Sequence, residues 1–273
     1  MINRMDTSLP VESAPRQGAA AFVSLSVLAR ARAVSIVLAI LFVLLTWQTT
    51  DAQEWTQWRG PERDGVVPSS SVPKAWPASL RRVWRVEMGE GYSSPVVSHG
   101  RVFVHSRLDP EEVVTAVDLA KGQILWQKKY AATFEKNQYA VSMAKGPNAT
   151  PLIDGNRLFT IGVTGILTAW EAANGRQLWT NDYSKSVDTS KLFCGTATSP
   201  LMVGGLVVIQ VGSDLKGGKI MALDPATGVA KWEWSGPGPG YASPIVIEVA
   251  GQRQLVALTE GTIVGLDPKT GTD

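Results

Sequence analysis

Eleven residues recur along this chain, and a recurring segment constrains a fold more than any composition can. Residues 116–126 read Ala-Val-Asp-Leu-Ala-Lys-Gly-Gln-Ile-Leu-Trp. Residues 169–179 read Ala-Trp-Glu-Ala-Ala-Asn-Gly-Arg-Gln-Leu-Trp, and residues 222–232 read Ala-Leu-Asp-Pro-Ala-Thr-Gly-Val-Ala-Lys-Trp. A fourth copy runs from Gly265 through Asp267 to Gly271. The shared frame is a small residue at place 1, an acid at place 3, glycine at place 7 and tryptophan at place 11. The glycines lie 53, 53 and 43 residues apart. Self-similarity at that period marks an architecture in which each unit buries its apolar face against the next.

The frame has a physical reading. The residues before the acid are apolar and often β-branched (Val113-Val114-Thr115, Ile166-Leu167-Thr168), which predicts a strand. The acid at Asp118, Glu171, Asp224 and Asp267 opens a tight turn, where its carboxylate can accept backbone N–H bonds. The glycines Gly122, Gly175, Gly228 and Gly271 suit a positive φ at the end of that turn. A second strand then carries Trp126, Trp179 or Trp232. An indole of about 200 Å² is too large for one hairpin to bury, so a neighbouring unit must receive it. The place-1 alanines Ala116, Ala169 and Ala222 leave room for a partner to approach.

Taken in order, the chain opens with a segment, residues 1–52, that reads as a targeting signal or membrane anchor. Arg30 and Arg32 precede an apolar run at 33–47, shorter than the roughly 20 residues of a spanning helix. Thr50-Asp51-Ala52 resembles a cleavage site. Residues 53–82 form a lead-in rich in tryptophan, then a proline-rich linker. Val83-Trp84-Arg85-Val86 predicts an outgoing strand with its tryptophan but without the acid turn. Repeats follow at about 93–130, 148–183, 197–234 and 241–273, each opening on a Ser/Thr-Pro step: Ser94-Pro95, Thr150-Pro151, Ser199-Pro200 and Ser243-Pro244. Each repeat reads as four short antiparallel strands. Segments such as Leu206-Val207-Val208-Ile209 are apolar on both faces, which requires a sheet on either side. The predicted fold is therefore all-β: a propeller of four-stranded blades over 83–273, incomplete at about four to five blades.

The pattern Ala-x-Asp-x-x-x-Gly-x-x-x-Trp resembles the docking motif of the pyrroloquinoline-quinone-type (PQQ) propeller repeat. That repeat occurs in quinoprotein alcohol dehydrogenases and in the propeller lipoprotein of the outer-membrane barrel-assembly machine. Trp55-Thr-Gln-Trp-Arg-Gly-Pro-Glu-Arg-Asp-Gly65 resembles the start of a secreted bacterial group with the same propeller. The resemblance implies that each motif tryptophan packs against the adjoining blade. The fold alone does not choose between catalysis and scaffolding.

The residues lean away from catalysis. A quinoprotein dehydrogenase would hold PQQ on calcium through clustered Glu, Asn and Asp ligands, and many carry a vicinal disulfide. No such cluster is legible here, and Cys194 is the single cysteine, read as a small buried hydrophobe. His99 at a turn and His105 on a strand have no ligand-spaced partners. Residues 53–273 carry 22 basic and 21 acidic side chains, a near-neutral balance that argues against a nucleic-acid surface. The expectation is a non-catalytic, exported scaffold, periplasmic or extracellular, with a protein or cell-envelope partner. It has no metal and no cofactor, and touches a membrane only through residues 33–47. The alternatives are part of a PQQ-dependent alcohol dehydrogenase and a sugar- or peptide-binding module. A ligand would meet the channel mouth at Tyr92, Asn148, Thr198 and Tyr241, and a partner the long inter-blade loops at 131–146 and 184–195.

Overall fold

The computed structural model describes residues 54–67, 72–140, 142–185, 192–213 and 217–273. The expected targeting segment lies outside them. Among the described residues there are only strands, turns and loops, and no helix long and apolar enough to cross a membrane.

Fifteen strands among the described residues form four antiparallel sheets. Blade 1 holds β1 (Val96–Ser98), β2 (Arg101–Leu108), β3 (Glu111–Asp118) and β4 (Ile124–Ala131). Blade 2 holds β5 (Leu152–Asp154), β6 (Arg157–Ile161), β7 (Ile166–Glu171) and β8 (Gln177–Asp182). Blade 3 holds β9 (Leu201–Val203), β10 (Leu206–Ser213), β11 (Gly217–Leu223) and β12 (Ala230–Gly236). Blade 4 holds β13 (Ile245–Val249), β14 (Gln252–Leu258) and β15 (Ile263–Leu266). Each sheet is a simple meander. The short first strands touch across blades, β1 with β5 and β5 with β9, so they line the inside.

There is one core per blade interface. Val96, Phe103, Val114, Ala116 and Trp126 of blade 1 meet Ile153, Leu158, Trp170 and Ala172 of blade 2. Phe159, Ile161, Leu167 and Ala169 of blade 2 meet Val207, Ile209, Val211 and Leu223 of blade 3. Val208, Ile220, Ala222 and Trp232 of blade 3 meet Leu255, Val264 and Leu266 of blade 4. β10 shows why its sequence is apolar throughout: Val207, Ile209 and Val211 face blade 2, while Val208 faces blade 4. The outermost strands have no such partner, and in β4 only Trp126 is buried.

The recurring frame joins these units. In every copy the glycine N–H closes a turn on the carbonyl of the acid four residues earlier, at 2.8 Å for Gly122, Gly175, Gly228 and Gly271. Their φ values of 68°, 71°, 72° and 72° are left-handed. The carboxylates of Asp118, Asp224 and Asp267 accept backbone N–H groups inside the turn. Glu171, one methylene longer, binds the side chains of Asn174 and Arg176 instead.

The place-1 alanines do what their size allows. Ala116, Ala169 and Ala222 are all 0% exposed, each inside the core that its blade shares with the next. Ala116 pairs directly across the strands with Trp126, Ala169 with Trp179 and Ala222 with Trp232. A bulge follows each of them, between Ala116 and Val117, Ala169 and Trp170, and Ala222 and Leu223.

The tryptophans reach the next blade's turn. Trp126 Nε1–H donates to the Ala172 carbonyl (3.0 Å), Trp179 to Pro225 (3.1 Å) and Trp232 to Pro268 (3.1 Å). Each acceptor is place 4 of the following copy. The indole covers that copy's glycine: a Cβ added at Gly175 would come within 2.7 Å of the Trp126 ring, and one at Gly228 within 2.7 Å of Trp179. Glycine is needed there twice over, for its φ and for its bare face. Trp84 docks on blade 1 in the same way, through Leu119 O (2.8 Å) and Gly122. The segment around it is not a strand, contrary to the sequence expectation, because no strand among the described residues offers it a ladder.

A second stitch lies at the inner end. Ser94 N–H donates to the Thr150 hydroxyl (3.2 Å), Thr150 N–H to the Ser199 hydroxyl (2.9 Å) and Ser199 N–H to the Ser243 hydroxyl (2.9 Å). The hydroxyls of Thr150, Ser199 and Ser243 thus each take the N–H of the same step one blade back.

Candidate functional site

Three places depart from the repeat, and any function particular to this chain must use such departures. The first is the lead-in. Trp55 pairs antiparallel with Val97 on the free edge of β1, and Thr56 O accepts Ile153 N–H of β5 at 2.8 Å. Arg63 Nη1 donates to Pro200 O, just before β9, at 2.9 Å. One short segment therefore fastens the first strands of three blades. Its own shape is set by tight turns, with Gly60 N–H to Gln57 O and Gly65 N–H to Arg59 O. The Trp55 ring covers Gly60, where a Cβ would lie within 2.8 Å. The guanidinium carbons of Arg59 and Arg63 lie 5.5 and 5.1 Å from the Trp58 ring.

The second is a buried polar network between blades 1 and 2. Glu112 is fully buried. One carboxylate oxygen accepts Val163 N–H from blade 2 (2.8 Å), and the other accepts the Tyr130 hydroxyl (2.6 Å). His105 Nε2 lies 2.9 Å from that hydroxyl and 3.5 Å from the carboxylate. Arg107, 1% exposed, donates from Nε and Nη2 to Asp109 and from Nη2 to Ala132 O, and its Nη1 stands 3.9 Å from Glu112. Lys145 completes the chain of charges at Asp109. Burial pushes the Glu112 carboxyl up. His105, the Tyr130 hydroxyl and the Val163 N–H outweigh it, and the group ends below the usual carboxylate range. Burial and the Glu112 charge push the Tyr130 phenol well up.

The third is the inter-blade loop surface. A pocket of about 50 Å³ opens between the loops after β4 and β8, lined by Tyr92, Phe134, Lys136, Ala140, Met143, Asn148, Phe193 and Cys194. Two of the four channel-mouth candidates, Tyr92 and Asn148, meet here. Tyr241 adjoins, its hydroxyl accepting Phe193 N–H (2.8 Å). Thr198 does not: it is buried and donates to Gln210 O (2.8 Å). Asn148 donates to Cys194 O (2.7 Å), and the Tyr92 hydroxyl accepts Ala144 N–H (3.3 Å). Cys194 is half-buried rather than fully so, and burial raises its thiol. Around the pocket Tyr139 is 77% and Tyr92 60% exposed, with Met143, Phe193 and Tyr241 also open to solvent.

This pocket does not fit PQQ. Sites for ligands of that size measure about 300–1,000 Å³, and the polar side chains here are already bonded within the chain. Wider clefts of about 340 and 550 Å³ open on the opposite side, between the turns at His99 and Asn156 and at Gln252 and Asp267. Among the described residues no group of three His, Cys, Asp or Glu side chains could hold a metal ion.

Four look-alike sheets, docked tryptophan to glycine turn, define a PQQ-like β-propeller repeat protein. A sequence model of the family described as outer membrane protein assembly factor BamB matches residues 75–142 and 110–273, and the chain belongs to this family. It is 33% identical to the outer membrane protein assembly factor BamB of Aliivibrio fischeri over 103 residues, 37% of this chain and 25% of that protein. It is 29% identical to the BamB of Kangiella koreensis over 158 residues, 58% of this chain and 36% of that one. The chain thus spans about a quarter to a third of the curated relatives it matches. Among solved structures it is similar to the quinohemoprotein alcohol dehydrogenase of Comamonas testosteroni, with a TM-score of 0.51 and 20% identity over 67% of this chain and 34% of that one. That likeness shows the fold alone.

The repeat pattern points to the docking turns but not to Arg107, Glu112 and Tyr130. One signal was available. Glu112 shares the strand parity of Val114 and Ala116, which places it on the face buried against blade 2.

Proposed function

We propose that this chain is a non-catalytic scaffold that takes part in assembling outer membrane proteins. The family match over 75–273 carries the reading. The geometry supports it in a specific way. Docking occupies the glycine turn of each blade, and the inter-blade loops on the other side carry exposed Tyr92, Tyr139, Met143 and Phe193 as a surface for a protein partner. The reading implies export, which the N-terminal apolar run of residues 33–47 would direct, and no cofactor. Deleting the gene and quantifying β-barrel proteins in outer-membrane fractions tests it: their level should fall. Unchanged levels, with the chain found in the cytoplasm on fractionation, would count against both role and location.

A further inference from the structure

Arg63 poses a problem that the assembly reading does not answer. It is 5% exposed, and it sits where the lead-in crosses the first strands. A guanidinium has five N–H donors, and a buried one is normally matched by an acid. Here Nη1 serves Pro200 O (2.9 Å) and the Gln57 side-chain oxygen (3.2 Å), and the Trp58 ring faces the guanidinium. Nε and Nη2 have no partner among the described residues. Burial alone moves the group, lowering it to about 10, and no neighbouring charge offsets that cost.

The two idle nitrogens are not a random pair. Nε–H and Nη2–H point the same way along one edge of the guanidinium. That edge is the fork that matches both oxygens of a carboxylate in two parallel bonds. Arg107 aims the same edge at a carboxylate, both nitrogens meeting Asp109 Oδ1 (3.0 and 2.8 Å). The remaining edge of Arg63 is held rigidly, because Pro200 O, Gln57 and Trp58 fix the plane. We propose that the Nε–Nη2 edge of Arg63 is a carboxylate-binding site on the inner side of the propeller. The carboxylate belongs either to a free small acid or to an acidic side chain of a bound polypeptide. The residues of the lead-in's own turn on either side of Arg63, Glu62 and 64–67, are exposed.

The full chain, ¹⁵N-labelled, is titrated with sodium formate at constant ionic strength set by chloride. In parallel it is titrated with a hexaglutamate peptide. The Arg63 Nε–H resonance should move saturably, and the melting temperature should rise with the same midpoint. Arg63→Leu should lose the thermal response and Arg63→Lys, which keeps the charge but not the fork, should lose most of it. A response to formate alone assigns the site to small free acids, and a response to the peptide assigns it to acidic side chains. An Nε–H resonance unmoved by either probe, or an equal thermal shift in Arg63→Leu, overturns the proposal. Should Arg63→Leu fail to fold, the titration of the native chain decides.

Discussion

The interface between blades 1 and 2 and that between blades 2 and 3 start from the same parts and end differently. Both have the tryptophan on the glycine turn and the hydroxyl stitch at the inner end. Counting from the place-1 alanines Ala116 and Ala169, Glu112 of blade 1 corresponds to Gly165 of blade 2. His105 corresponds to Ile161, since each lies two residues beyond the partner of that alanine, Phe103 or Phe159. The first interface therefore closes on a carboxylate, an imidazole and a guanidinium, and the second on Ile161, Ile209 and Val211. Two jobs are thus separate. The repeat sets how blades dock, and the positions outside it set how each interface responds to pH and to substitution.

Substitutions can break that comparison. Glu112→Ala leaves the Tyr130 hydroxyl and the Val163 N–H buried without their acceptor, removes the acid nearest Arg107 Nη1, and should cost about 3–5 kcal/mol in urea unfolding. Trp126→Ala should cost about 3–5 kcal/mol, and Trp179→Ala, only half-buried, should fall at the lower end of that range. If these tryptophans prove near-neutral, the docking is not what holds the blades. Gly228→Ala combines a left-handed φ with a clash on Trp179 and should cost about 1–3 kcal/mol. Ile161→Val, at the position matching His105, should cost only about 0.5–1.5 kcal/mol.

Acid sharpens the contrast between the interfaces. Glu112 titrates below its ordinary value in the fold, so its contribution is complete above the unfolded value of about 4.3. That contribution fades as pH falls through the lower folded value. Unfolding curves taken from neutral pH down to acid should show a loss that Glu112→Gln lacks. A parallel loss in the variant would mean that the network does not link the two blades.

Much of the fold was legible because the repeat states its own chemistry. Acid, glycine and tryptophan at fixed places encode turn, bare surface and plug, and two-sided apolar strands call for a sheet on each side. The hydroxyl stitch was half legible. Ser94, Thr150, Ser199 and Ser243 recur visibly, but the backbone group that the Thr150, Ser199 and Ser243 hydroxyls accept comes from the preceding blade, not from local sequence. The Arg107–Glu112 network hides inside an ordinary-looking hairpin, where only strand parity separates buried Glu112 from its neighbour Glu111. The lead-in reads as a loose approach to the propeller. Its bonds to β1, to β5 and to Pro200 join residues up to 137 apart in sequence, and spacing does not reveal such contacts.

The most direct test of blade-to-blade docking is indole N–H exchange with solvent. It would be followed by NMR on tryptophan-labelled chain and assigned with single Trp→Phe variants. The N–H groups of Trp126, Trp179 and Trp232 should exchange slowly, as donors to Ala172, Pro225 and Pro268. The exposed Trp76 should exchange freely. If all four exchange at the rate of a free indole, the tryptophans do not dock, and the propeller described here is wrong.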